Sequence, residues 1–181
     1  MNYYGARELA ESFRTVRKNT LTIAEEIGEE HYGFRATPDT RTIAQMLVHI
    51  ALSSRFQEQA HGGERLTTLV GFDFPAFIRT MRADEQVPRD KAQILELLRT
   101  GGERFSSWVG GLSEEVLGEW VTFGPDASPA GKSRFEMIMG VKEHEMHHRG
   151  QLMLLERMVG VVPHLTRAMQ ARMAAMESGK Q

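Results

Sequence analysis

The 181-residue sequence contains no cysteine, which excludes a disulfide framework, a thiolate zinc site and a thiol nucleophile carried by the chain itself. Any sulfur chemistry has to arrive with a second molecule. A surplus of positive charge is also missing: 22 Lys and Arg stand against 24 Asp and Glu, a net charge of -2. No basic surface is therefore expected for a nucleic acid. No apolar run approaches the roughly 20 residues that span a bilayer. The start, Met1-Asn2-Tyr3-Tyr4-Gly5-Ala6-Arg7-Glu8, lacks the basic and apolar regions of a secretion signal. These absences set three expectations: no membrane partner, no nucleic-acid partner and a cytoplasmic location. Internal repeats, low-complexity tracts and linkers are absent too, so the whole chain, 1–181, is expected to form one domain.

What the chain does have is helical periodicity. Leu9, Phe13, Val16, Thr20, Ile23 and Ile27 recur at spacings of four and three, drawing one stripe down a first helix from Ala6 to about Gly28. Thr42 with Gln45 three residues on reads as a capping box opening a second helix. That helix is expected to run to about His61 and stop at Gly62-Gly63. Residues 64–89 read as a long connection, with Thr67 to Val70 suited to extended backbone and Phe74 to Arg82 to one short helix. A third helix opens near Asp90 and carries Ile94, Leu98, Gly101, Phe105, Trp108 and Leu112 on one stripe. The pair Gly101-Gly102 inside it costs about 1 kcal/mol per glycine relative to alanine, or else marks close backbone packing. A loop from Gly118 to Lys132 precedes a fourth helix, opened by Ser133 with Glu136 and ending near Gly160; the tail after about His164 has the pattern of one more helix. The expected fold is all-α: a four-helix bundle, antiparallel, with a connection between helices two and three long enough for a crossover.

Position on these helices sorts the seven histidines. His144 and His148 are four residues apart, so about 40° separates them around the helix and they project side by side. Their face also carries Met137, Val141, Leu152, Leu155 and Val159, so both imidazoles point into the bundle. His49 lies on the core stripe of helix two with Met46, Ser53, Phe56 and Ala60. Three inward imidazoles left without partners cost on the order of 1–3 kcal/mol each, whereas one shared divalent cation satisfies all three. His49, His144 and His148 are thus the candidate metal ligands, and three neutral nitrogens leave the ion an open position. His147 and His61 fall on flanks or surface, and His31 and His164 in linker positions. Two further residues are candidates for chemistry. Gln151, one turn beyond His148, is placed to orient a ligand or a bound group. Glu145 is a candidate general base, although its place about 100° from His144 better suits contact with another helix or solvent.

His144-Glu145-Met146-His147-His148 also satisfies the H-E-x-x-H pattern of zinc proteases. The protease reading fails downstream: Gln151 and Leu154 stand where a metzincin has glycine and histidine, Glu156 and Glu177 are the only later carboxylates, and no strand-rich segment precedes the motif. The chain instead resembles the DinB/YfiT-like family of candidate metalloenzymes. Three stretches carry the resemblance: Thr42 to Ile50 ending on His49, the run His144-x-x-x-His148-Arg149-Gly150-Gln151, and the closing Leu155 to Pro163. It implies a four-helix bundle, a three-histidine site for nickel, zinc or a similar ion, a small-molecule substrate and often a homodimer. Members include transferases that use a low-molecular-weight thiol of the bacillithiol, mycothiol or glutathione kind, an isomerase of maleylpyruvate and candidate hydrolases. The implied activity is therefore a metal-dependent S-transferase or hydrolase, with a non-catalytic metal-binding bundle as the alternative.

Overall fold

The computed structural model describes residues 4–179, so the extreme ends of the expected 1–181 domain, including Met1 to Tyr3, lie outside the described residues. Four long helices form the body: α1 (Ala6–Glu26), α2 (Ile43–Leu52), α5 (Lys91–Gly110) and α7 (Arg134–Met158). Three of the four starts follow from a capping side chain. Thr42 and Gln45 close a full capping box, as do Asp90 and Gln93, and the Ser133 hydroxyl accepts from the Glu136 amide. α1 runs antiparallel to α5, since Arg14 meets Glu103, Arg17 meets the Leu98 carbonyl and Lys91 reaches the Ile27 carbonyl. α1 and α7 share a direction, Lys142 meeting Ser12 and Glu145 meeting Arg17. α2 opposes α7, with His49 facing His144 and Phe56 beyond it packing on the cluster that includes Met137. The long 64–89 connection supplies the crossover this arrangement needs.

The core divides along the bundle. At one end Ile23, Leu47, Ile50, Leu98 and Leu152 pack together, and at the other Leu9, Phe13, Phe105, Ile138 and Val141 do so. Phe13 and Phe105 meet edge to face at 4.8 Å. Between these ends the glycine pair of α5 has a physical purpose. A Cβ on Gly102 would stand 2.8 Å from the Arg17 side chain, so the glycine makes room for a buried arginine. No helix among the described residues is long and apolar enough to cross a membrane.

Three segments differ from the sequence expectation, each for a local reason. The second helix does not run unbroken to His61. The Ser53 hydroxyl takes the Ile50 carbonyl at 2.8 Å and competes with the helix ladder; the chain resumes as one turn, α3 (Arg55–Gln57), and then as a π-helical stretch, Glu58–Gly63. Wider π turns shift the phase of every later side chain. His61 accordingly points inward with 3% exposure, correcting its assignment to a flank, and accepts from the buried Arg134 at 2.7 Å. In the connection, α4 (Phe74–Gln86) extends four residues past the expected Arg82, and Thr68 forms a bridge with Thr122. The 118–132 loop contains a hairpin of β1 (Trp120–Thr122) on β2 (Gly131–Ser133), preceded by α6 (Glu114–Gly118). Gly131 permits this pairing, because a Cβ there would sit 2.4 Å from the Val121 carbonyl. The tail forms α8 (His164–Ser178), so His164 opens a helix and does not sit in a linker. It is pinned to α1 by His164 against Asn19 and Arg167 against Glu26.

Candidate metal centre

α2 and α7 bring His49, His144 and His148 together with one nitrogen from each inside a 4.8 Å span. Nε2 of His144 lies 3.1 Å from Nε2 of His49 and 3.2 Å from Nε2 of His148. Two nitrogens each 2.0–2.1 Å from a tetrahedral ion are about 3.3 Å apart, close to these separations.

The outer nitrogens decide which form each ring takes. Nδ1 of His49 is 2.5 Å from a carboxylate oxygen of Glu85, on α4. Burial pushes the Glu85 carboxyl up, but hydrogen bonds from His49 and Arg41 outweigh it and hold the group below its ordinary value. Glu85 is thus ionised at neutral pH and can only accept, so Nδ1 of His49 donates, and the neutral form of that ring has its lone pair on Nε2. Nδ1 of His148 donates to Oε1 of Gln151 at 2.8 Å, and the Gln151 amide nitrogen donates to His147 at 3.1 Å. His148 likewise presents a bare Nε2 inward. Two lone pairs therefore face His144, whose single N–H can satisfy one of them at most. Its Nδ1 is buried with no partner among the described residues. A cation among the three Nε2 atoms resolves the conflict, and the donor set fits a divalent metal ion. Burial, reinforced by His148 and His49, pulls the His144 imidazole down to about 4, and burial also lowers His148. Both rings are uncharged at neutral pH, each keeping one N–H and offering one lone pair to a metal.

Behind the ligands sits a brace that sequence reasoning missed. Arg17 of α1, 4% exposed, holds both oxygens of Glu145 at 2.9 Å, donates to the Leu98 carbonyl at 2.6 Å and reaches the Ile50 carbonyl at 3.5 Å. One guanidinium thereby ties all four long helices at the residues beside His49 and His144. Glu145 is wholly buried with its oxygens engaged by Arg17, so the carboxylate considered as a general base is placed in a structural ion pair. Gln151 touches the outer nitrogen of His148, a candidate ligand. His147 stands on the flank as expected, behind Gln151. Glu85 was the missing outer partner of His49, held in turn by Arg41 at 2.9 Å. A signal existed for Glu85 and for Arg17. Glu85 follows Phe77 and Met81 at helical spacing, and Arg17 follows Phe13 in the same way. A charge on an apolar stripe needs a partner.

With this geometry in view, a model of the DinB family matches residues 1–179. The chain belongs to the DinB family. No curated protein matches it in sequence. Solved structures match it in fold. YjoA of Bacillus subtilis, a DinB-like protein, is 19% identical with a TM-score of 0.61, covering 84% of this chain and 92% of its own. A DinB-like protein of Bacillus cereus is 17% identical with a TM-score of 0.64, covering 86% and 93%. YfiT of B. subtilis, described as a probable metal-dependent hydrolase with an unusual four-helix bundle topology, is 14% identical with a TM-score of 0.66, covering 89% and 91%. At these identities the likeness speaks to the fold of this DinB-family chain.

Proposed function

We propose that this DinB-family protein is a metal-dependent enzyme acting on a small molecule at the three-histidine centre, with hydrolysis as the leading reaction. The convergence of one nitrogen from each of three imidazoles within 4.8 Å carries the reading. The description of YfiT as a probable metal-dependent hydrolase supports the choice of reaction. A divalent ion such as nickel or zinc, both suited to imidazole ligands, supplies Lewis acidity that brings the pKa of water or a thiol toward neutrality.

The chain's own groups do the rest. His49, His144 and His148 hold the ion through neutral nitrogens, Glu85 and Gln151 fix two of the rings by accepting from Nδ1, and Arg41 steadies Glu85. The Arg17 to Glu145 pair keeps α2 and α7 at the separation the ligands need. Phe56, Phe77 and Val141 wall the approach to His49 and His144 and limit water there. A second reading, transfer of a low-molecular-weight thiol, rests on the resemblance of the His144 to Gln151 run and on the lack of cysteine in the chain.

Turnover assays on metal-loaded protein separate these readings. Hydrolysis requires metal and no thiol, and is expected on an ester or amide panel; thiol transfer requires both. Metal-loaded protein that turns over neither panel, with any common thiol, leaves a binding protein and contradicts the enzyme reading.

A further inference from the structure

Two clefts of different chemistry meet at the histidine cluster. One, of about 840 Å³, passes His148 and Gln151 and is bordered by Arg35, Arg41 and Arg82. The other, of about 410 Å³, reaches His49 and His144 between Phe56, Phe77, Ile78 and Val141. Arg41, Arg82 and Glu85 border both, so the two spaces adjoin in front of the histidines.

The three guanidiniums are not equivalent. Arg41 is engaged by Glu85 at 2.9 Å. Arg35 donates to the Pro38 carbonyl at 3.3 Å, and Arg82 is exposed with no ion pair among the described residues. Asp39 is the other acid on this border and accepts from the Thr37 hydroxyl at 2.5 Å. Three arginines against Asp39 and Glu85 leave one net positive charge, and it resides on Arg35 and Arg82. A planar guanidinium takes a carboxylate in two parallel hydrogen bonds, and one net charge matches a monoanion better than a dianion.

We propose that the substrate is an apolar monocarboxylate, its carboxylate held at Arg82 and Arg35 and its apolar body lodged between Phe56, Phe77 and Ile78, so that the bond between the two lies before the histidines. The proposal rests on the three-histidine centre being catalytic. A built-in control exists on the apolar side. Gly140 of α7 lines that cleft, and a Cβ added there meets no atom within 4 Å. Leucine, a better helix former than glycine, therefore starts into open space and projects its side chain toward the cleft.

Calorimetric titration of the metal-loaded protein with phenylbutyrate and with its neutral amide, phenylbutyramide, tests the proposal, with metal content measured on the same samples. The acid is expected to bind about tenfold more tightly than the amide, the size of one charge-assisted contact. Arg82→Gln should remove that preference, and Gly140→Leu should weaken both ligands by about tenfold or more. Equal binding of acid and amide, or no binding of either, overturns the proposal. So does an acid preference that survives Arg82→Gln and disappears with chelator, since the carboxylate would then sit on the ion. Arginine-dependent binding in protein that takes up no metal would uphold the anion site and overturn the catalytic reading instead.

Discussion

The Glu85 carboxylate lies 2.5 Å from Nδ1 of His49 and fixes which nitrogen of that ring is free to bind. An acceptor behind a ligating histidine orients the ring and raises its basicity, and losing it typically costs about 10–100-fold in metal affinity. Glu85→Ala is expected to fall in that range when affinity is measured by competition with a chelator. Glu85→Gln, which keeps an acceptor but not the charge, should lose less. Unchanged affinity in Glu85→Ala would show that His49 is set by something else.

The pair of Arg17 with Glu145 makes a prediction about stability and not turnover. Removing one partner of a buried ion pair costs about 3–5 kcal/mol because the other charge is left stranded. Glu145→Gln and Arg17→Met are each expected to lower the melting temperature by on the order of 10 °C. The double variant should recover part of that loss. Were Glu145 a general base, Glu145→Gln would instead leave the melting temperature intact and cut turnover by about 10²–10⁴-fold.

Glu156 supplies a pH signature away from the ligands. Burial, with the charge of Glu26 adding to it, raises the Glu156 carboxyl to about 7 from 4.5. The folded protein therefore binds more protons than the unfolded chain between these values, and this group's contribution to stability falls as pH rises from 4.5 to 7. Melting curves of Glu156→Gln should match the parent near pH 4.5 and exceed it above pH 7. A gap that does not change with pH would remove Glu156 as its source.

The sequence made the four long helices legible because each has an uninterrupted stripe and three of the four a readable cap; Thr42, Asp90 and Ser133 each begin a helix where expected. The convergence of His49, His144 and His148 was legible for the same reason, since all three lie on regular helices whose phase can be counted. His61 was misplaced because counting fails across the break at Ser53 and the π-helical turns that follow. Glu85 was missed because it lies past the expected end of a short helix, in a connection whose structure depends on packing against α2. The hairpin of Trp120 to Thr122 was beyond reach for a similar reason: three-residue strands leave no periodicity to read.

The direct test of the centre is elemental analysis of protein reconstituted with zinc or nickel and then freed of loosely held ion. About one ion per chain is expected, with loss of it in each of His49→Ala, His144→Ala and His148→Ala and retention in His61→Ala. Because the ion joins α2 to α7 in the folded state only, chelator should lower the melting temperature of the parent and leave that of His148→Ala unchanged. Full metal content in the three ligand variants, or its loss in His61→Ala, would contradict the assignment of the centre.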